Sequence, residues 1–161
     1  MIAEHLERSA IPGAVASDGL ALEVPVGYDA VRQALHDWRR WIESMNASSD
    51  LVSRAEIVLA EVLNNITEHG YAGQDGAAVP VALRCRISAQ GLHVSVVDQG
   101  RPAPADLGRK ACLPPASPAA DGIDSLPEGG FGWFLIRELT CNLHLESDED
   151  GNRLCFVVPA S

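Results

Sequence analysis

Three polar residues, Glu61, Asn65 and His69, follow one another at intervals of four along a segment with helical periodicity. Each interval of four residues rotates a helix only about 40° beyond one full turn, so the three side chains project within one stripe. A carboxylate there can act as a general base, and an amide oxygen can ligate a hard cation such as Mg²⁺. The alternative is a solvated helix face, where Glu and Asn are common.

A second polar motif, Asp98-Gln99-Gly100-Arg101-Pro102, directly follows an apolar run that ends at Val97. An acid after a buried strand, followed by glycine, places a carboxylate where the sheet ends and the backbone turns sharply. A carboxylate accepts hydrogen bonds from an exocyclic amine and can therefore recognise adenine. Taken alone, the motif is better explained as an ordinary D-x-G turn.

A third motif is rich in glycine: Glu128-Gly129-Gly130-Phe131-Gly132 leads directly into a predicted helix. Glycine backbone can approach a polyphosphate closely, and the first N–H groups of a helix carry the positive end of its dipole. Many glycine-rich loops only turn the chain, so this motif alone is weak evidence.

The segments around these motifs predict the elements that must position them. Helical spacing is expected over Tyr28–Met45, Leu51–His69 and Phe131–Leu139, with Gly70 as the C′ residue of the second helix. Strands are expected over Leu20–Val26, Val79–Ile87, Leu92–Val97, Asn142–Glu146 and Leu154–Val158, the last two joined by a turn at Asp148–Asn152. This order predicts an α+β fold, a two-layer sandwich with a mixed, mostly antiparallel sheet and helices on one face.

The length of 161 residues suits one domain. We expect an N-terminal leader over residues 1–19 and the folded domain over 20–161. Residues 101–128 are rich in proline and alanine, and a loop of that length within a compact domain is typical of a functional lid.

The composition excludes several function classes. The net charge is -10, with 22 acidic and 12 basic residues, which argues against direct binding of nucleic acid or of an anionic membrane. The four cysteines are scattered without a C-x-x-C pair, so we expect no zinc site or redox pair, and reduced thiols fit the cytoplasm. No signal peptide and no membrane-spanning segment are predicted.

Together the three motifs resemble the conserved boxes of GHKL (Bergerat-fold) ATPases, in the form typical of bacterial anti-sigma-factor serine/threonine kinases. The segment from Glu61 to Tyr71 resembles the N-box, Asp98 to Pro102 resembles the G1 box, and Gly130-Phe131-Gly132 resembles the G2 box. The resemblance extends from about Leu51 to Val158. It implies a Bergerat ATP-binding fold whose cofactors are ATP and Mg²⁺.

The resemblance also implies roles for particular residues. Asn65 would ligate Mg²⁺, Asp98 would hold the adenine amino group, and Glu61 would take a proton from the attacking hydroxyl. His69 would support the phosphates, or else cap the helix end. Residues 101–128 would form the ATP lid.

Further positions follow from the same resemblance. Gly100, Gly130 and Gly132 would let the backbone close on the nucleotide. Asn152 stands where the family often places a threonine beside the adenine pocket.

The implied function is phosphorylation of a Ser or Thr on a STAS-type anti-anti-sigma partner by a protein that also sequesters a sigma factor and can form a homodimer. The alternatives are a nucleotide-regulated anti-sigma or adaptor module without kinase activity, and a scaffold that has lost nucleotide binding. Trp38 and Trp41 on the first helix are candidates for a partner surface, although core packing is expected for at least one of them.

Overall fold

The computed structural model describes residues 19–71, 79–103 and 131–161, and the structural statements below concern those residues. Most of the predicted leader and lid, together with Gly130, lies outside them. The described elements are β1 Gly19–Val24, α1 Tyr28–Ser44, α2 Ser49–Asn65, a π-helical turn Ile66–Gly70, β2 Val81–Ser88, β3 Gly91–Asp98, α3 Phe131–Leu139, β4 Cys141–Asp148 and β5 Gly151–Pro159.

The strands form one sheet in the order β1-β2-β3-β5-β4. All four pairings between described strands are antiparallel, so the sheet that was expected to be mixed is wholly antiparallel in this part of the chain. Because β5 lies between β3 and β4, the end of β3 is next to the start of β5, with Asp98 opposite Asn152. This adjacency brings the second sequence motif to the final hairpin.

The three helices pack on one face of the sheet, which confirms the predicted α+β sandwich. Strand alternation directs one set of apolar side chains toward the helices, as in β2, where Val81, Leu83 and Cys85 are buried and Arg84 is exposed. The buried core joins the sheet and helices through the residues Val31, Trp38, Ile42, Val58, Leu59, Leu63, Leu83, Leu92, Val96, Ile136, Phe156 and Val158.

The two tryptophans of α1 belong to this core rather than to an exposed surface. Trp38 is 0% exposed, and Trp41 is partly buried and packs against the core. The structure thus excludes Trp38 as a free partner surface, and it confirms that at least one of the two tryptophans is used for core packing. The reason is that α1 presents Val31, Trp38 and Ile42 to the sheet on one helical stripe.

Helix α2 begins as expected and ends differently. The Ser48 hydroxyl accepts a hydrogen bond from Leu51 N at 3.2 Å and so caps the helix. The α-helical pattern stops at Asn65, and the chain continues through the π-helical turn. Gly70 was predicted as the C′ residue of an α-helix, but it ends the π-helical turn, and its φ is not the positive one that is usual for a C′ glycine. The wider i→i+5 turn takes the place of a glycine cap.

Candidate functional site

The carboxylate and the amide of α2 meet the start of α3. An ideal Cβ added to Gly132 would lie 2.5 Å from Glu61 Oε2 and 3.6 Å from Asn65 Nδ2. Only glycine allows α3 to begin this close to both side chains without displacing the Glu61 carboxylate. Glu61, Asn65 and Gly132 are therefore brought together, and we call them the helix cluster.

The Asn65 amide in the helix cluster has unused hydrogen-bonding capacity. Its Nδ2 is buried and has no hydrogen-bond partner among the described residues. A buried amide group without a partner is unfavourable and is typical of a place that a ligand completes. Since a terminal amide can be placed in either orientation, it can present an oxygen to a hard cation or an N–H to a phosphate oxygen. The residues present therefore fit a magnesium–polyphosphate group.

A second cluster lies at the end of β3. Asp98 is 5% exposed, and its Oδ1 accepts hydrogen bonds from Gly100 N at 2.8 Å and from Asn152 Nδ2 at 2.9 Å. Burial raises the pKa of the Asp98 carboxyl, and the hydrogen bonds from Asn152 and Gly100 oppose that rise. Asp98, Gly100 and Asn152 form what we call the strand-end cluster.

The π-helical turn joins the two clusters. Arg101 N donates a hydrogen bond of 2.9 Å to Gly70 O, and a Cβ added to Gly100 would lie 2.8 Å from that same oxygen. The backbone of the second motif thus packs directly on the residue that ends the π-helical turn. Because Asn65 immediately precedes this turn, one short segment connects the helix cluster to the strand-end cluster.

Asn152 has a position that the sequence did not predict. It was expected within the turn Asp148–Asn152, but it is the second residue of β5 and lies between Asp98 on β3 and Ser147 on β4. The close approach of Gly151 to β3 sets this register, since a Cβ at Gly151 would lie 2.1 Å from Asp98 O.

Every backbone N–H from residue 99 to residue 103 has an acceptor in the structure. Gln99 N donates to the Tyr71 hydroxyl at 3.0 Å, and Ala103 N donates to Asn152 Oδ1 at 2.8 Å. The amides of Gly100 and Arg101 are bonded to Asp98 and Gly70, and Pro102 has no N–H. The chain is therefore held in place up to the first residues of the predicted lid.

The contact that His69 makes is with its neighbour Glu68 and with neither cluster. Its ring is exposed, and its Nε2 lies 3.6 Å from Glu68 Oε2. His69 lies within the π-helical turn that follows Asn65, so the spacing of four no longer implies a shared α-helical stripe. A role for His69 near the phosphates stays a prediction, as does the role of Gly130.

Three residues to which the sequence alone gave no role help to shape the strand-end cluster. The Tyr71 hydroxyl accepts from Gln99 N and donates to Val79 O at 3.3 Å, and Ser147 Oγ donates to Asn152 Oδ1 at 2.6 Å. Gly151 permits the approach of β5 to β3. Tyr71 could have been noticed in the sequence because it directly follows the first motif, whereas Ser147 could be found only from the strand register.

The fold defines an α+β sandwich of the Bergerat-like class, and comparison with known proteins identifies its family. Residues 24–158 match the family model of the histidine kinase-like ATPase domain. This chain therefore belongs to the histidine kinase-like ATPase domain family, which confirms the resemblance to GHKL proteins that the three motifs carried. ATP binding is the property that this membership implies.

Two curated relatives have the same name. The serine-protein kinase RsbW of Bacillus pumilus is 28% identical over 98 residues, covering 58% of this chain and 56% of the relative. The serine-protein kinase RsbW of Bacillus licheniformis is 29% identical over 104 residues, covering 65% of this chain and 63% of the relative. In each case less than two thirds of the relative's length is matched. The homology to these kinases is distant.

A solved structure shares the fold. The crystal structure of the RsbU and RsbW domains of Rv1364c from Mycobacterium tuberculosis has a TM-score of 0.59 with this chain at 15% sequence identity. The match covers 89% of this chain and 32% of that one. At this identity the likeness supports the Bergerat-like architecture alone.

Membrane-spanning helices, cysteine pairs and metal-binding groups were searched for among the described residues. Within that part of the chain no helix is long and apolar enough to cross a membrane. The described cysteines Cys85, Cys141 and Cys155 are free, and no group of three or more His, Cys, Asp or Glu there could hold a metal ion.

Proposed function

We propose that this chain is an ATP-dependent serine/threonine kinase of the anti-sigma type, acting in the cytoplasm. It would phosphorylate a STAS-type anti-anti-sigma partner and sequester a sigma factor. The observation that carries the proposal is the meeting of Glu61 and the unpartnered Asn65 amide at Gly132. A base and a phosphate-directed amide at the start of a helix are what phosphoryl transfer to a hydroxyl requires.

Recognition of ATP is assigned to the strand-end cluster. Asp98 Oδ1 is already occupied by two donors, and the carboxylate would use its remaining lone pairs to accept from the adenine amino group. Its burial strengthens such a hydrogen bond, because water competes poorly there. A guanine base presents a carbonyl at the corresponding position and would be disfavoured.

Phosphoryl transfer is assigned to the helix cluster. Asn65 would hold Mg²⁺, which supplies neutralisation of the phosphate charge when bound. Glu61 would accept the proton of the attacking Ser or Thr hydroxyl. Gly132 leaves room for the Glu61 carboxylate, and the first N–H groups of α3 would face the phosphates with the positive end of the helix dipole.

The proposal for substrate and partners rests on the distant relatives, which are named serine-protein kinase RsbW. A STAS-type protein and a sigma factor are the partners that this kinship suggests, and a homodimer is the assembly. No direct contact with nucleic acid or with a membrane is proposed, in keeping with the net charge of -10.

The first test is calorimetric titration of MgATP into the wild-type chain, Asp98→Asn and Asn65→Ala. We expect wild-type binding, loss of binding in Asp98→Asn, and binding that no longer responds to Mg²⁺ in Asn65→Ala. Asn64→Ala is the matched control, because Asn64 is the neighbouring, partly buried amide on the same helix. No binding by the wild type at millimolar ATP would refute the proposal.

The second test separates a kinase from a binding module. Purified STAS-domain proteins are incubated with MgATP and the chain, and phosphate incorporation is measured by mass spectrometry. Glu61→Gln should bind ATP normally and transfer no phosphate, while Glu56→Gln on the same helix should transfer as the wild type does. ATP binding without transfer by the wild type would favour the nucleotide-regulated module.

A further inference from the structure

Asn152 is a buried amide whose hydrogen-bonding capacity is fully used within the chain. Its Nδ2 donates to Asp98 Oδ1 and to Arg101 O, each at 2.9 Å. Its Oδ1 accepts from Ala103 N at 2.8 Å and from Ser147 Oγ at 2.6 Å. A terminal amide has two N–H donors and an oxygen with two lone pairs, so these four bonds leave none free.

The orientation of this amide is fixed by its backbone partners. Ala103 N can only donate and Arg101 O can only accept, so a rotation of the Asn152 amide by 180° would oppose donor to donor and acceptor to acceptor. The residue is 9% exposed, which leaves little access for water to compensate. The bonding pattern is therefore determined by the surrounding groups.

We propose that Asn152 is a positioning residue of the nucleotide site, which holds the Asp98 carboxylate and the segment from Arg101 to Ala103 in place without contacting the base. This inference rests on the proposed ATP site, and it gives a specific role to the residue that the resemblance placed beside the adenine pocket. It also explains why asparagine suits this chain, since a threonine hydroxyl has one donor and cannot reach both Asp98 and Arg101 O as Nδ2 does.

The assignment makes the strand-end cluster a link between the base and the lid. Asn152 bonds both to the residue proposed to bind adenine and to the residues that lead into the predicted lid. Ser147 completes the link from β4 by donating to Asn152 Oδ1 and accepting from Ala103 N at 3.0 Å. Asn152 thus connects Asp98 to residues 101–103, with which the predicted lid begins.

Calorimetry with base analogues tests the proposal. Asn152→Ala should bind ATP about tenfold more weakly than the wild type, since it removes a hydrogen bond to a carboxylate. The ratio of the dissociation constants of Asn152→Ala and the wild type should be the same for 1-deaza-ATP and 3-deaza-ATP, each of which lacks one ring nitrogen of adenine. It should be smaller for purine riboside triphosphate, which lacks the 6-amino group. A ratio that falls toward one with a deaza analogue would show direct base contact and overturn the proposal.

A measurement on the free protein makes the test independent of nucleotide binding. The titration of the Asp98 carboxyl is followed by ¹³C NMR and assigned with Asp98→Asn. The hydrogen bond from Asn152 lowers the pKa of Asp98, so Asn152→Ala should move its titration to higher pH. The titratable group facing Asp98 is the Tyr71 hydroxyl, whose pKa is raised chiefly by burial and also by Asp98. An unchanged titration would overturn the proposal.

Two further variants control for folding. Ser147→Ala removes a partner of Asn152 Oδ1 and keeps both Nδ2 bonds, so the shift of the Asp98 titration should be much smaller than in Asn152→Ala. Asn152→Thr retains one donor and should weaken ATP binding by less than Asn152→Ala. Tighter binding by Asn152→Thr than by the wild type would contradict the positioning role. If the wild type binds no ATP, the proposed function fails, while the NMR titration still decides whether Asn152 holds Asp98.

Discussion

The helix cluster and the strand-end cluster differ in how complete they are within the free chain. In the strand-end cluster, Asp98 Oδ1 and the Asn152 amide have partners inside the protein. In the helix cluster, Asn65 Nδ2 is buried without a partner among the described residues. The strand-end cluster is thus preorganised before its ligand binds. The helix cluster, to which the chemical step is assigned, is completed only by the ligand.

The largest expected effect concerns the approach of β5 to β3. Gly151→Ala should lower the free energy of unfolding by about 3 kcal/mol or more, because its φ is 142° and the new Cβ would meet Asp98 O at 2.1 Å. Urea denaturation measures the change. Gly27→Ala is the matched control, since Gly27 also has a φ of 142° but has nothing within 4 Å of its Cβ position. Equal losses in the two variants would show that only backbone strain matters at Gly151.

The next effect should be confined to the helix cluster. Gly132→Ala places a Cβ 2.5 Å from Glu61 Oε2, and the flexible carboxylate can move away, so the fold should be retained. Displacing the proposed base should lower the rate of phosphate transfer by about 100-fold while ATP affinity changes little. Single-turnover transfer and calorimetry measure the two quantities. A large loss of ATP affinity with normal transfer by the bound enzyme would contradict the division between the clusters.

A smaller effect is expected at the contact between the π-helical turn and the second motif. Gly100→Ala would put a Cβ 2.9 Å from Gly70 Cα and from Asp98 Oδ1, so ATP affinity should fall by about tenfold. Gly70→Ala is the control on the other side of the same contact, where the nearest atom is Ile66 Cγ2 at 3.6 Å. Calorimetry should therefore show a loss in Gly100→Ala and almost none in Gly70→Ala. Equal losses would indicate that the turn itself is disturbed.

The smallest effect is a pH dependence of stability. Burial raises the pKa of Asp98 above its unfolded value, so its stabilising contribution is present below the unfolded pKa and is lost as the pH rises through the folded pKa. The free energy of unfolding of Asp98→Asn, relative to that of the wild type, should thus be highest near neutral pH and lower in mild acid. Urea denaturation of both proteins across this range tests the sign. A relative stability of Asp98→Asn that rises on acidification would contradict it.

The sequence predicted elements wherever one periodicity dominates. Helix α3 spans the predicted Phe131–Leu139, and the strands β2 to β5 begin and end within a few residues of their predicted bounds because alternation is clear in each. The motif residues Glu61 and Asn65 lie together because their spacing is α-helical. These features depend on local pattern alone.

Other features depend on contacts between distant segments and could not be read from local pattern. The π-helical turn has no periodic signature, so the end of α2 and the direction of His69 were not predicted. The strand register that makes Asn152 a neighbour of Asp98 is set by Gly151 packing on β3. The burial of Trp38 required knowledge of which stripe of α1 faces the sheet.

The bonded amides of residues 99–103 have a consequence for hydrogen exchange. The N–H groups of Gln99, Gly100, Arg101 and Ala103 all have acceptors in the free chain. Amides that are already bonded exchange slowly until the structure opens. Deuterium uptake in this segment should therefore be slow before nucleotide is added. Binding of ATP at Asp98 should slow it further, because a ligand that binds only the closed structure opposes its opening.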